Sequence, residues 1–285
     1  MDPVDPVEST RRFSTFVALG DSFTEGVGDP DPARPNGVRG WADRVAEVLG
    51  ARTEGFRYAN LAIRGRKLPA VLAEQVEPAL ALQPDLVSMY AGGNDIMRPK
   101  VDLDAVVADY AEALVKLRAS GAHLVLFTGF DLGHAPVFGR LRGRFAIYNE
   151  LVREVADDLD ATLVDFWRMR EYRDPRLWSV DRIHMSSFGH RHMATQVLDA
   201  LGVPHDLGLD PLPDLPPLTP AARREADLAW ARAHAAPWIQ RRLRGTSSGD
   251  GLAPRFATLG PAPTVTPEVA PESGPPEGPK GSGTI

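Results

Sequence analysis

FVALGDSFTEG, residues 16–26, decides the fold of this 285-residue chain. Phe16-Val17-Ala18-Leu19 is a short apolar run closed by Gly20, and Asp21 and Ser22 follow at once. A short apolar run ended by a turn signal reads as a strand buried on both faces. Strands of that kind form open parallel sheets, whose ligands bind outside the carboxyl ends of the strands. Ser22 is delivered to that edge, where a hydroxyl becomes a nucleophile if a base reaches it. The plain alternative is a turn followed by a helix cap, because serine and aspartate favour both.

Outward from Ser22, helix-like and strand-like segments alternate. Trp41 to Leu49 has apolar residues at helical spacing, with Gly50 as a stop signal. Tyr58 to Ile63 reads as a strand, Leu68 to Leu82 as a helix and Asp85 to Ala91 as a buried strand. Leu103 to Ala119 is a helix closed by Ser120-Gly121, and His123 to Thr128 a fourth strand. Arg142 to Leu159 is helical, Thr162 to Phe166 is a fifth strand, and Ser187 to Leu201 is the last helix of the core. This order predicts an α/β domain over 13–202, with a central five-stranded parallel sheet covered by helices on both faces. Residues 1–12 are expected to be a flexible N-terminus.

Beyond Leu201 the composition changes. Residues 203–244 read as a Pro-rich connection, His205 to Pro220, and a C-terminal helix, Ala221 to Arg244. That helix carries Trp230 and Trp238, and Pro237 is expected to interrupt or restart it. It either packs on the flank of the sheet or caps the site, with Trp230 or Trp238 lining the pocket. Residues 245–285 are Gly/Pro/Ser-rich with few large apolar side chains, and are expected to be a disordered tail.

The formal net charge of -6 argues against broad nucleic-acid binding. The absence of cysteine excludes disulfides, thiolate catalysis and thiolate metal sites. MDPVDPVEST lacks the charged and apolar regions of a signal peptide, and no apolar run is long enough to cross a bilayer. The expectation is a cytoplasmic protein with no nucleic-acid or membrane partner, and the sequence leaves its oligomeric state open, with a monomer favoured.

Four segments fall where strands meet loops: Gly20-Asp21-Ser22, Asn60 to Gly65, Gly92-Gly93-Asn94-Asp95 and Asp181-Arg182-Ile183-His184. In a parallel sheet all four lie at one edge. Serine acyl transfer needs a nucleophile, a base, a group that orients the base, and oxyanion donors. Ser22 offers the hydroxyl, and His184 a base whose ordinary pKa suits neutral pH. Asp181 would fix the imidazole tautomer and stabilise the imidazolium. The Ser22 and Gly65 N–H groups and the Asn94 amide would form a three-donor oxyanion hole. Asp21 and Asp95 are expected to hold loops.

This order of residues resembles the SGNH-hydrolase superfamily, the GDSL esterases and lipases. Ser22 matches its block-one serine, Gly65 its block-two glycine, Asn94 the asparagine of G-x-N-D, and Asp181 and His184 the D-x-x-H block. The resemblance covers roughly residues 14 to 202. It implies a flavodoxin-like three-layer α/β/α fold and metal-free, cofactor-free hydrolysis of an ester, with a small-molecule acyl ester as substrate. An acyltransferase or thioesterase using the same site, or a catalytically silent binding module, is the alternative.

His190 and His192 follow His184 as candidates for a metal cluster, but are expected on polar or flanking faces of the last helix, with no metal. Gly245-Thr246-Ser247-Ser248-Gly249 matches the G-x-S-x-G nucleophile elbow letter for letter. That motif needs a strand before it and a helix after it, and Ser247 has neither in prospect. Gly26-Val27-Gly28 lacks the spacing of a dinucleotide loop. Substrate choice is expected in the loops Asp29 to Gly40 and Phe130 to Leu141. Arg34, Arg39, Arg140 and Arg142 could meet an anionic leaving group there, but are expected to be solvated.

Overall fold

The computed structural model describes residues 12–134, 138–209 and 211–264. Strands β1 (Thr15–Gly20), β2 (Arg57–Asn60), β3 (Leu86–Tyr90), β4 (His123–Phe127) and β5 (Thr162–Val164) are parallel neighbours in the order β5-β4-β3-β1-β2. The connection from β2 to β3 passes over β1, the other connections join adjacent strands, and every one of these five strands delivers its following loop to one edge.

The side chains of β1 alternate between two cores. Val17 and Leu19 join Val87, Met89, Leu124 and Leu126 on one face. Phe16 and Ala18 join Leu86, Val125 and Phe127 on the other. Both faces are dry, which is why the run is continuously apolar rather than alternating. Helix α2 (Trp41–Arg52) covers the second face together with α8 (Ser187–Ala200). The first face is covered by helices α6 (Leu103–Ala119) and α7 (Arg142–Asp158). It is also covered by a helix that begins as α3 (Leu68–Val71), takes a π turn over Leu72–Val76 and continues as α4 (Glu77–Ala81). The result is the expected three-layer α/β/α arrangement.

Two expectations are corrected. Helix α2 does not stop at Gly50 but runs on to Arg52. Gly50 serves a different purpose: a Cβ there would stand 2.5 Å from the Cβ of Ala262, so the missing side chain admits the C-terminal segment. That segment is the second correction. Phe256–Pro261 is a strand, β6, antiparallel to β2, and it makes the sheet six-stranded and mixed. The tail is thus ordered as far as Thr264, and the rest of the expected disordered stretch, like residues 1–11, lies outside the described residues.

The cause lies in one residue that composition hides. Arg255 is buried, and its guanidinium pairs with Asp43 of α2 at 2.6 and 3.1 Å. It also donates to the Glu25 and Pro35 carbonyls. A Gly/Pro-rich stretch cannot order itself by apolar burial, but a buried, fully bonded ion pair can anchor it. Between α8 and β6, the C-terminal helix starts as α9 (Pro220–Trp230), makes a π turn over Ala231–Ala235 and restarts as α10 (Ala236–Arg244), with Pro237 in its first turn. Among the described residues no helix is long and apolar enough to cross a membrane.

Candidate active site

Ser22 opens α1 (Ser22–Glu25), a single turn directly after β1. Gly20 makes this abrupt change possible. Its φ is +140°, and a Cβ there would collide with the Tyr90 carbonyl. Asp21 caps the turn: its Oδ1 accepts from Phe23 N–H at 3.1 Å, and its backbone carbonyl accepts from Thr24 and Glu25. The Ser22 N–H is the first-turn donor that Asp21 does not serve.

Gly65 has φ +75°, and the loop that carries it is held from below by two buried residues. Asn60 donates to the Thr24 carbonyl and accepts from Ala62 N–H. Glu25, at the end of α1, accepts from Arg64 N–H at 2.6 Å and pairs with the Arg64 guanidinium. Asn94 sits in α5 (Gly93–Ile96), after β3. Its Nδ2 donates to Asp21 Oδ2 at 2.9 Å and to the Arg66 carbonyl at 3.0 Å. Asp95 accepts from Leu68 N–H, so both aspartates hold loops as expected. The first three segments are therefore in direct contact.

The fourth lies on a tight loop closed by a bridge between Trp178 and Met185. Asp181 organises it. Oδ1 accepts from Ser179 Oγ, Ile183 N–H and His184 N–H, while Oδ2 meets His184 Nδ1 at 2.6 Å. Burial pushes the Asp181 carboxyl up, but these donors outweigh it and hold the group well below its ordinary value. An ionised carboxylate only accepts, so Nδ1 carries the proton and Nε2 is left as the basic nitrogen.

The loop after Ser22 is stitched to this one. A Cβ on Gly28 would strike the Met185 carbonyl and crowd His184 Cβ. Ser187 Oγ donates to Asp29, and His190 bridges Val27 O and Trp41 N–H. Among the described residues the Ser22 hydroxyl makes no hydrogen bond, to His184 or to any other group.

His190 and His192 are not on polar faces: both are buried, with His190 fully enclosed. Trp41 N–H donates to His190 Nδ1, so Nε2 holds the proton and donates to Val27 O. Burial lowers the His190 pKa to about 4. Among the described residues no group of three His, Cys, Asp or Glu side chains is placed to hold a metal ion. Arg34 and Arg39 are not solvated either: both pair with Glu47, at 2.8 and 2.5 Å.

Several contributors escape a reading by motif. Gln75, in the π turn before α4, is buried and clamps Gly20 from both sides, accepting from its N–H at 2.8 Å and donating to its carbonyl at 2.9 Å. Trp230 Nε1 donates to the Asp181 carbonyl at 2.8 Å, and the Arg182 guanidinium lies 5.2 Å from the Trp230 ring. The C-terminal helix thus reaches the Asp181–His184 loop rather than lying only along the sheet's flank.

The GDSL-like lipase/acylhydrolase family profile matches residues 18–192, more than half of the chain. The chain belongs to the GDSL-like lipase/acylhydrolase family. It is 26% identical over 209 residues to an acetylxylan esterase from Geobacillus stearothermophilus, across 66% of this chain and 93% of that one. Among solved structures it resembles Axe2, an acetylxylan esterase from the same organism, with a TM-score of 0.57 and 22% identity, over 68% of this chain and 97% of that one. It also resembles LAE5, an alpha/beta hydrolase enzyme from the metagenome of Lake Arreo, Spain, with a TM-score of 0.55 and 25% identity, over 66% and 95%. Three solved catalytic mutants of Axe2 alter a serine, an aspartate and a histidine, the last two lying three positions apart in that protein. By family and by relative, this GDSL-like protein is a carboxylic ester hydrolase.

Proposed function

We propose that the protein is a serine esterase that removes a short acyl group, acetyl foremost, through an acyl-enzyme on Ser22. One observation carries the reading. The Asp181–His184 hydrogen bond of 2.6 Å lies on a loop whose His184 and Met185 pack against Gly28, in the loop that follows Ser22. The acetyl preference draws on the relative named an acetylxylan esterase, which the chain matches over nearly all of that protein's length.

In this mechanism Ser22 Oγ attacks the acyl carbon while His184 Nε2 takes its proton. Asp181 holds Nδ1–H and stabilises the imidazolium. The carbonyl oxygen becomes an oxyanion that accepts from the Ser22 and Gly65 N–H groups and from Asn94 Nδ2. Collapse breaks the bond to the alcohol oxygen, which leaves with the proton from Nε2. Water then attacks the acyl-enzyme, again giving its proton to His184, and the acid is released as Ser22 recovers its proton. No metal or organic cofactor takes part in any step.

The test is turnover of p-nitrophenyl esters of rising chain length, with Ser22→Ala beside the wild type. Activity is expected to be greatest with acetate and absent in Ser22→Ala. Retained activity in Ser22→Ala would falsify the nucleophile, and a preference for long chains would overturn the acyl assignment.

A further inference from the structure

Ser247 carries the better-known motif and stands well away from the nucleophile in sequence, yet it is seated on the Gly65 loop. Its Oγ donates to the Arg64 carbonyl over a long 3.4 Å, and a Cβ built on Gly65 would collide with that same Oγ. Gly249, buried two residues on, packs so closely on the Arg64 carbonyl that a Cβ there would collide with its oxygen. The turn is internally braced: Gly249 N–H donates to Ser247 Oγ at 3.1 Å, and Asp250 accepts from Ser247 N–H at 2.7 Å. Asp250 also faces Arg66 of the Gly65 loop at 3.5 Å.

The chemistry of the peptide bond gives this contact a consequence. The Arg64 carbonyl and the Gly65 N–H are the two ends of one planar, trans peptide, so they point in opposite directions. Fixing the carbonyl fixes where the N–H aims. A donor on the carbonyl also polarises the unit and strengthens its N–H as a donor in turn. Gly65 has φ +75° and no side chain to lock its own peptide, so an outside support has something to do.

We propose that Ser247 is a positioning residue for the oxyanion hole. Its hydroxyl, backed by Gly249, holds the Arg64–Gly65 peptide with the Gly65 N–H toward the developing oxyanion. The inference rests on the esterase reading and on the role given there to Gly65. It makes the GTSSGDG turn, residues 245–251, a part of the active site supplied from outside the α/β domain. Ser247 itself forms no bond to substrate in this scheme.

An oxyanion donor acts on the transition state, so its loss falls on kcat rather than KM. Ser247→Ala is expected to lower kcat for p-nitrophenyl acetate by about fivefold, the scale of one ordinary hydrogen bond, with KM unchanged within about twofold. An alkylboronic acid, whose tetrahedral adduct on Ser22 places an oxygen in the hole, is expected to bind Ser247→Ala about fivefold more weakly. Ser247→Thr keeps the hydroxyl and is expected to retain wild-type kcat. Unchanged kcat and boronate affinity in Ser247→Ala would overturn the proposal. So would a change confined to KM, or a loss of kcat that vanishes once the folded fraction is corrected by denaturant unfolding. Ser22→Ala is assayed in parallel. If it turns over, the esterase reading has failed; if it is silent while Ser247→Ala matches the wild type, only the Ser247 inference has.

Discussion

Asn94 donates through Nδ2 to Asp21 Oδ2 at 2.9 Å and to the Arg66 carbonyl at 3.0 Å, so both hydrogens of its amide are engaged. An oxyanion must draw one of them away or share it. The two bonds fix the position of the amide, and in the proposed mechanism one of its hydrogens turns from a protein acceptor to the oxyanion. Asn94→Ala is expected to lower kcat by about 10²–10³ for p-nitrophenyl acetate. A change smaller than tenfold in steady-state kinetics would remove Asn94 from the oxyanion hole.

Asp21, the partner in that pair, is buried at 4% exposure, and burial raises its pKa to about 7, against the pull of its bond from Phe23 N–H. Its unfolded value is near 3.8. A raised carboxyl holds its proton longer in the folded state, so the folded state loses stability as pH rises from about 4 to 7. Asp21→Asn removes the buried charge together with one acceptor. Its stability relative to wild type is expected to rise across that window by up to about 4 kcal/mol, then to stay level above pH 7. Urea unfolding of both proteins from pH 4 to 8 checks this; a difference that stays flat with pH contradicts it.

His190 works in the opposite sense. Its neutral ring bridges Trp41 N–H and Val27 O, and burial lowers its pKa from 6.5 to about 4. The unfolded chain therefore binds a proton before the folded one does. The folded state loses stability as pH falls from about 6.5 to 4. His190→Gln keeps an acceptor and a donor but does not titrate. The stability of wild type minus that of His190→Gln is expected to shrink by about 3 kcal/mol over that range. Comparing the two removes the contributions of all other titrating groups, Asp21 included. A constant difference would mean that His190 charges in place.

Asp181 serves both the ring and the loop, since Oδ1 takes three donors and Oδ2 meets His184 Nδ1. Asp181→Asn keeps an oxygen for the loop N–H groups but turns an NH2 toward the imidazole, which favours the wrong tautomer. A loss in kcat of about 10²–10⁴ is expected, with the fold retained. Near-wild-type kcat in a folded Asp181→Asn would show that another group orients His184.

The sequence was most legible where one residue type answers one local need. The apolar run of β1 has two dry faces, and Gly20 has no room for a Cβ, so both announce themselves. Asp181 and His184 are three residues apart and meet on one loop. Gln75 is not legible: a glutamine between Glu74 and Val76 carries no sign that it clamps Gly20, 55 residues away. Ser247 was misleading, since its letters suggest a nucleophile and its surroundings give it the Arg64 carbonyl. The strand after Arg255 was hidden for a physical reason. Composition measures the apolar area a segment can bury, and this segment is held by a charge pair 212 residues apart in the chain.

That pair allows a direct test of what orders the C-terminal strand. Arg255 and Asp43 have no side-chain exposure, and Tyr58 OH adds a third bond to Asp43 Oδ1 at 3.0 Å. Breaking one partner of a buried pair strands the other charge, at a cost of about 3–5 kcal/mol, whereas neutralising both together costs much less. Arg255→Met alone is expected to destabilise the protein by that amount and to open β6 to proteolysis. Arg255→Met with Asp43→Asn is expected to recover most of the loss, because the asparagine still accepts from Tyr58 and neither member of the pair is left as a stranded charge, while Arg34 keeps Glu47 and Asp31. Denaturant unfolding of the two single variants and the double variant forms a complete cycle. If the effects of the single variants simply add, the pair does not anchor the strand, and β6 is held by its ladder to β2 and by the packing of Phe256 and Leu259 on the two cores.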